Sequence, residues 1–137
     1  MYTAETTIRV RYSETDQMKY VYYGNYLSYY EVGRVESLRK LGLSYKALEE
    51  SGIGMPVLEN HSYYYKPVIY DDLITIKVTI AELPVMRIKF EYEFFNVDEV
   101  LVHSGNSILA FINLSNGKPV KAPAVMLKSL APFFDDK

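Results

Sequence analysis

Cysteine and tryptophan are absent from the 137 residues, and histidine occurs only twice. Without a thiol there is no disulfide, no thiolate metal ligand and no cysteine nucleophile. An excess of charge is missing too: 15 Lys and Arg stand against 17 Asp and Glu, so no basic field is available to attract a nucleic acid or an anionic membrane. No stretch approaches the ~18 apolar residues of a membrane span. The opening M-Y-T-A-E-T-T-I-R-V-R-Y has no basic segment leading into an apolar one. A soluble, cytoplasmic protein with neither a nucleic-acid nor a membrane partner is expected. The signatures G-x-S-x-G, P-loop, H-E-x-x-H, EF-hand and G-x-G-x-x-G are also missing.

What is abundant is tyrosine, with 14 Tyr and 6 Phe. An apolar ring with a polar tip suits the walls of clefts and subunit contacts. Apolar residues at 49% and charged residues at 23% are ordinary for a globular chain, and the length matches one domain, expected over 1–137.

Ile8, Val10 and Tyr12 alternate with Thr7, Arg9 and Arg11 as in a half-buried strand. A loop runs to Gly24. Asn25 is a suitable N-cap, and Gly42 follows Arg39-Lys40-Leu41, so a helix is predicted over about 26–41, with Glu36 and Lys40 as an i,i+4 pair. Ser44 caps a short helix through Glu50, and Met55 to Val68 is extended. Ile74, Ile76, Val78 and Ile80 share one strand face; Ile88, Phe90, Tyr92 and Phe94 share another. The strand from about Val100 to Asn113 contains Gly105, a candidate bulge or site of close backbone approach. Ala124 to Leu130 reads as a terminal helix. Strand, long helix, then consecutive antiparallel strands define an α+β fold with one helix covering a sheet.

At 100° per residue Tyr26, Leu27, Tyr30, Leu38 and Leu41 fall on one helix arc, with Arg34 in its middle. An unpaired buried guanidinium costs several kcal/mol. Either Arg34 snorkels to solvent, or it pairs with Glu31 one turn earlier.

His61 and His103 are isolated, and a metal site needs several donors, so no metal is expected. Carboxylate chemistry remains. Asp16 precedes the helix N-terminus, whose free N–H groups and dipole can stabilise a developing oxyanion. Such a carboxylate can attack an activated acyl carbon, or act as general base for water. A thiolate, with a conjugate-acid pKa of about 8.5, departs without a proton donor, and no acid accompanies Asp16. A thioester therefore fits better than an amide. Taken alone, an aspartate before a helix is most often a turn residue.

R-V-R-Y-S-E-T-D (9–16), Y-V-Y-Y-G-N-Y-L-S-Y-Y-E-V-G-R (20–34) and Y-Y-K-P-V-I-Y-D-D (64–72) together resemble the 4-hydroxybenzoyl-CoA thioesterase-like family of hotdog-fold proteins. The resemblance spans roughly 5–125. It implies an antiparallel sheet of about five strands wrapped around a long central helix. It further implies acyl-CoA thioester hydrolysis, no cofactor beyond the CoA of the substrate, and a homodimer with the site between subunits; the choice between dimer and tetramer is left open by the sequence. By the same resemblance Asp16 is catalytic; Tyr23, Gly24, Asn25 and Tyr26 are oxyanion or substrate-binding residues; and Glu31 and Arg34 are supporting residues. Met18-Lys19-Tyr20 replaces the small residues that many relatives carry after the aspartate, which bears on pocket shape. An acyl-carrier-protein thioesterase and a non-catalytic acyl-binding subunit are the competing readings.

Overall fold

The computed structural model describes residues 1–134; 135–137, the end of the expected domain, lie outside the described residues. Five strands form one antiparallel sheet: β1 (Tyr2–Arg9), β3 (Val57–Tyr64), β4 (Leu73–Ile80), β5 (Arg87–Phe95) and β6 (Leu101–Ala110), in the order β1-β4-β5-β6-β3. Two short strands, β2 (Ile53–Gly54) and β7 (Ile112–Asn113), pair separately. The long helix α1 (Asn25–Arg39) lies on the apolar face of the sheet, and α2 (Tyr45–Glu50) and α3 (Ala124–Leu130) are short.

Alternation in the sequence decides the sheet. Ile74, Ile76, Val78 and Ile80 are buried on β4, as are Ile88, Phe90, Tyr92 and Phe94 on β5, while the charged residues between them face outward. Helix α1 can settle closely on β4 because Gly33 has no side chain. A Cβ there would lie 3.0 Å from Val78 and 3.2 Å from Ile76. The helix ends at Gly42, whose φ of +84° suits glycine; the Leu43 amide returns to the Leu38 carbonyl and the Gly42 amide to that of Arg39.

Several expectations are corrected. The first strand begins at Tyr2 and ends at Arg9, so Tyr12 is not in it; Tyr12 lies in a 3-10 turn and is exposed. Leu27 is exposed and Leu41 only partly buried, because the buried stripe is rotated toward Tyr29, Gly33 and Ser37. Glu36 pairs with Arg39 at 2.5 Å, whereas the Lys40 ammonium donates to the Glu5 carbonyl. The bulge in β6 is not at Gly105. Phe94 pairs with His103 and Phe95 with Leu101, leaving Val102 as the extra residue. Gly105 instead permits close approach: a Cβ would stand 2.1 Å from the Tyr30 hydroxyl.

Candidate active site

Asp16 sits in a tight turn that its own carboxylate closes. Its Oδ1 accepts from the Met18 amide at 2.8 Å and the Tyr20 amide at 3.4 Å, and its backbone carbonyl accepts from the Lys19 amide at 2.8 Å. Lys19 takes φ of +69°, the conformation that a glycine would adopt without strain. One carboxylate oxygen is thus anchored, while Oδ2 accepts no hydrogen bond among the described residues. Half-burial of Asp16 leaves that oxygen usable for chemistry.

Beyond this turn the chain enters α1. The expected N-cap is displaced by one residue: Gly24 caps and Asn25 is the first helical residue. Asn25 uses its side chain elsewhere, donating from Nδ2 to the Glu14 carbonyl at 2.8 Å. Asn25 and Tyr26 amides return to the Tyr22 and Tyr23 carbonyls, but neither the Tyr23 nor the Gly24 amide has an acceptor among the described residues. Two N–H groups at the positive end of a helix are therefore available to an oxyanion. Asp16 is electrically coupled to this segment: the Tyr22 phenol is held above its ordinary value chiefly by the neighbouring Tyr23 phenol, with the Asp16 charge adding to it.

Beside the turn and the helix start lies a cavity of about 260 Å³, lined by Tyr20, Tyr23, Tyr26, Tyr64, Tyr65 and Lys66, with Val21 and Pro67. Tyr26 is buried, and its phenol is pushed up to about 12 by that burial first and by Tyr64 second, so it is neutral at ordinary pH. The Val102 bulge supports the far wall. Its carbonyl accepts from both the Tyr65 and Lys66 amides, at 3.0 and 3.1 Å. A larger depression of about 310 Å³ near Leu83, Arg87 and Glu91 lies away from the helix start.

Arg34 does not pair with Glu31, which is exposed. Arg34 is 6% exposed, and its guanidinium donates from Nε to the Tyr45 hydroxyl at 3.1 Å, and from Nη1 to the Tyr92 hydroxyl at 2.9 Å and Ser107 Oγ at 3.4 Å. The charge is kept by neutral hydroxyls of α2, β5 and β6, which locks α1 to the sheet behind the site. His103 is also structural. Its Nε2 lies 2.6 Å from the Tyr30 hydroxyl, its ring stacks on Tyr26 at 4.1 Å, and Nδ1 has no partner among the described residues. His61 is at the surface beside Glu59. Among the described residues no three His, Asp or Glu side chains converge as metal donors.

So Tyr23 and Tyr26 line the cavity with Gly24 between them at the helix start, Asp16 sits in the turn that leads to Tyr20 of the same cavity wall, Asn25 ties the helix start to Glu14, Arg34 lies in the core, and Glu31 is exposed. Sequence reasoning missed Glu14 and left Lys66 unassigned. Glu14 lay inside the resembling segment 9–16, and Lys66 inside the segment 64–72.

An antiparallel sheet wrapped around one long helix, with a tyrosine-walled cavity at the start of that helix, defines a hotdog-type fold with a candidate hydrolase site. The chain belongs to the thioesterase-like superfamily, which it matches over residues 10–130. A Bacillus subtilis protein provisionally named an acyl-CoA thioesterase is 31% identical over 121 residues, 88% of each chain. An acyl-CoA thioesterase of Haemophilus influenzae is 28% identical over 117 residues, 85% of each chain. The solved DHNA-CoA thioesterase of Staphylococcus aureus is 32% identical and superposes with a TM-score of 0.85 over 98% of this chain and 85% of that one.

Proposed function

We propose that Asp16 and the free amides at the start of α1 carry the hydrolysis of an acyl-CoA thioester to free acid and CoA. The observation that carries this reading is the carboxylate anchored through Oδ1 with Oδ2 unengaged, in the turn that leads to a cavity whose helix start leaves the Tyr23 and Gly24 amides unbonded among the described residues. The thioester carbonyl oxygen accepts from those amides, which are fixed before the reaction and aimed where negative charge develops. Oδ2 then either attacks the acyl carbon, giving an anhydride that water opens, or removes a proton from an attacking water. In both routes the C–S bond breaks and CoA leaves as a thiolate, so no acid is required. The tyrosine-walled cavity of about 260 Å³ suits a compact, ring-bearing acyl group.

No metal or cofactor enters this scheme; CoA is part of the substrate, and the reaction belongs in the cytoplasm. The protein acts as a homo-oligomer, at least a dimer. Supporting this, β3 lies at the edge of the sheet and exposes Val57, Leu58, Tyr63 and Tyr64, an edge that a second copy would cover.

Thiol release from benzoyl-, hexanoyl- and palmitoyl-CoA tests the reading. Wild type is expected to favour benzoyl-CoA, with Asp16→Asn at least about a hundredfold lower in kcat/KM and a chelator without effect. No release by wild type from any substrate removes the enzyme reading, and equal rates for Asp16→Asn remove the role of Asp16. Label in Asp16 after a single turnover in heavy-oxygen water identifies the nucleophilic route with water opening the anhydride at the aspartyl carbonyl, and trapping of an acylated Asp16 identifies that route when water attacks the acyl carbon instead.

A further inference from the structure

Glu14 stands two residues before Asp16 and bonds in two directions at once. Its carboxylate Oε1 accepts from the Arg11 amide at 2.9 Å and from the Tyr29 hydroxyl at 2.7 Å; Oε2 accepts from Arg11 Nε at 3.0 Å and lies 2.9 Å from Nη2. Its backbone carbonyl accepts from the Tyr22 amide at 2.9 Å and from Asn25 Nδ2 at 2.8 Å. The side chain is only 15% exposed, so these are contacts of an enclosed carboxylate and not of a solvated surface pair.

The partners are placed so that one residue connects the two halves of the site. Tyr22 and Asn25 flank Tyr23 and Gly24, whose amides are free. Tyr29 is buried one turn further along α1 and has no other way to satisfy its phenol among the described residues. Burial by itself would raise the Glu14 carboxyl, but the Arg11 amide, the Tyr29 hydroxyl and the Arg11 guanidinium together hold it below the ordinary carboxylate value. It is therefore an anion at neutral pH, and the Tyr29 phenol beside it is raised, by burial first and by this hydrogen bond second.

We propose that Glu14 is a positioning residue, which fixes the Tyr23 and Gly24 amides against the Asp16 turn by holding Asn25 through its carbonyl and Tyr29 through its carboxylate. The inference rests on the hydrolytic reading above and adds a residue to it. The carboxylate touches no substrate. Its loss lets the helix start move relative to Asp16, and small displacements of reacting groups are costly in rate.

The test measures kcat and KM for benzoyl-CoA in wild type, Glu14→Gln, Tyr29→Phe, the Glu14→Gln/Tyr29→Phe double variant and Asp16→Asn. Tyr29→Phe keeps the buried ring and removes only the hydroxyl, so it remains informative if a Glu14 variant folds poorly. The expected result is a kcat about tenfold lower in both single variants, KM within about twofold of wild type, and a double variant no slower than the slower single one, because both changes break the same link. Glu14→Gln and Tyr29→Phe proteins that are folded by circular dichroism and retain kcat within twofold would overturn the proposal. So would losses that multiply in the double variant. Asp16→Asn separates the two readings: if it is slow while the other variants are fast, only the Glu14 proposal fails; if it is as fast as wild type, the role of Asp16 on which the Glu14 proposal rests fails first.

Discussion

Tyr30 on α1 and His103 on β6 share a 2.6 Å hydrogen bond in the core, directly over the position that Gly105 leaves bare. The same hydroxyl reaches Ser62 Oγ at 2.6 Å, so three elements of the fold meet at one phenol oxygen. Tyr30 also stacks on Tyr92, with ring centroids 4.2 Å apart and planes at 5°. Behind the tyrosine wall of the cavity, this cluster determines what the wall can lean on.

Burial lowers the His103 pKa from 6.5 to about 4, since a charged ring would lie among Tyr26, Tyr64 and Phe94 with Nδ1 unpartnered. The unfolded chain binds this proton more readily than the folded one. Its contribution to stability is therefore fully present above about pH 6.5 and is lost as pH falls toward 4, at up to about 1.4 kcal/mol per pH unit. In urea unfolding between pH 7 and pH 4, His103→Gln is expected to show a shallower decline than wild type; parallel curves would contradict the assignment.

Gly105→Ala places a methyl 2.1 Å from the Tyr30 hydroxyl and 2.5 Å from the His61 carbonyl oxygen. Forcing these apart is expected to cost about 3 kcal/mol in denaturant unfolding. Adding Tyr30→Phe removes the nearer clash but not the backbone one, so the double variant should recover only part of the loss.

Arg34→Leu strands the Tyr92 and Tyr45 hydroxyls, while Glu31→Gln changes an exposed carboxylate that Arg34 does not contact. The first is expected to lose about 2–4 kcal/mol of stability and the second less than about 0.5 kcal/mol. Similar losses for the two would restore the ion pair that the sequence alone suggests.

Lys19 occupies left-handed backbone space in the Asp16 turn. Lys19→Gly is expected to keep stability within about 1 kcal/mol of wild type and leave activity intact. Lys19→Val, whose branched side chain is poorly accommodated there, should cost about 1–2 kcal/mol and reduce kcat, because the Met18 and Tyr20 amides that hold Oδ1 depend on that turn. Equal behaviour of the two variants would show that turn geometry does not set the carboxylate.

Period-2 alternation made β4 and β5 legible residue by residue, since each inward side chain is a separate apolar choice, and Gly42 marked the helix end within two residues. The turn at Asp16 and the helix start after Tyr23 were legible because both are local, and the roles of the two residues are those proposed above. Arg34 was misread for the opposite reason: helix periodicity names the nearest carboxylate, Glu31, but cannot see Tyr45, Tyr92 and Ser107, which fold back from 11 to 73 positions away. Glu14 escaped notice because its role depends on Tyr29 being buried across from it. The pair β2 and β7 is two residues per strand, too short for any alternation to register.

The Val102 bulge makes chain length, and not only residue identity, a property of the tyrosine-walled cavity. In a regular strand Val102 and His103 would face opposite ways; here both are buried, one as core and one as partner of Tyr30, while the Val102 carbonyl is left to hold Tyr65 and Lys66. A substitution in β6 is a local event. Removing Val102 straightens the strand with the pairs Phe94–His103 and Phe95–Leu101 kept, but takes away the carbonyl that holds Tyr65 and Lys66, so a deletion reaches the cavity wall through the backbone alone.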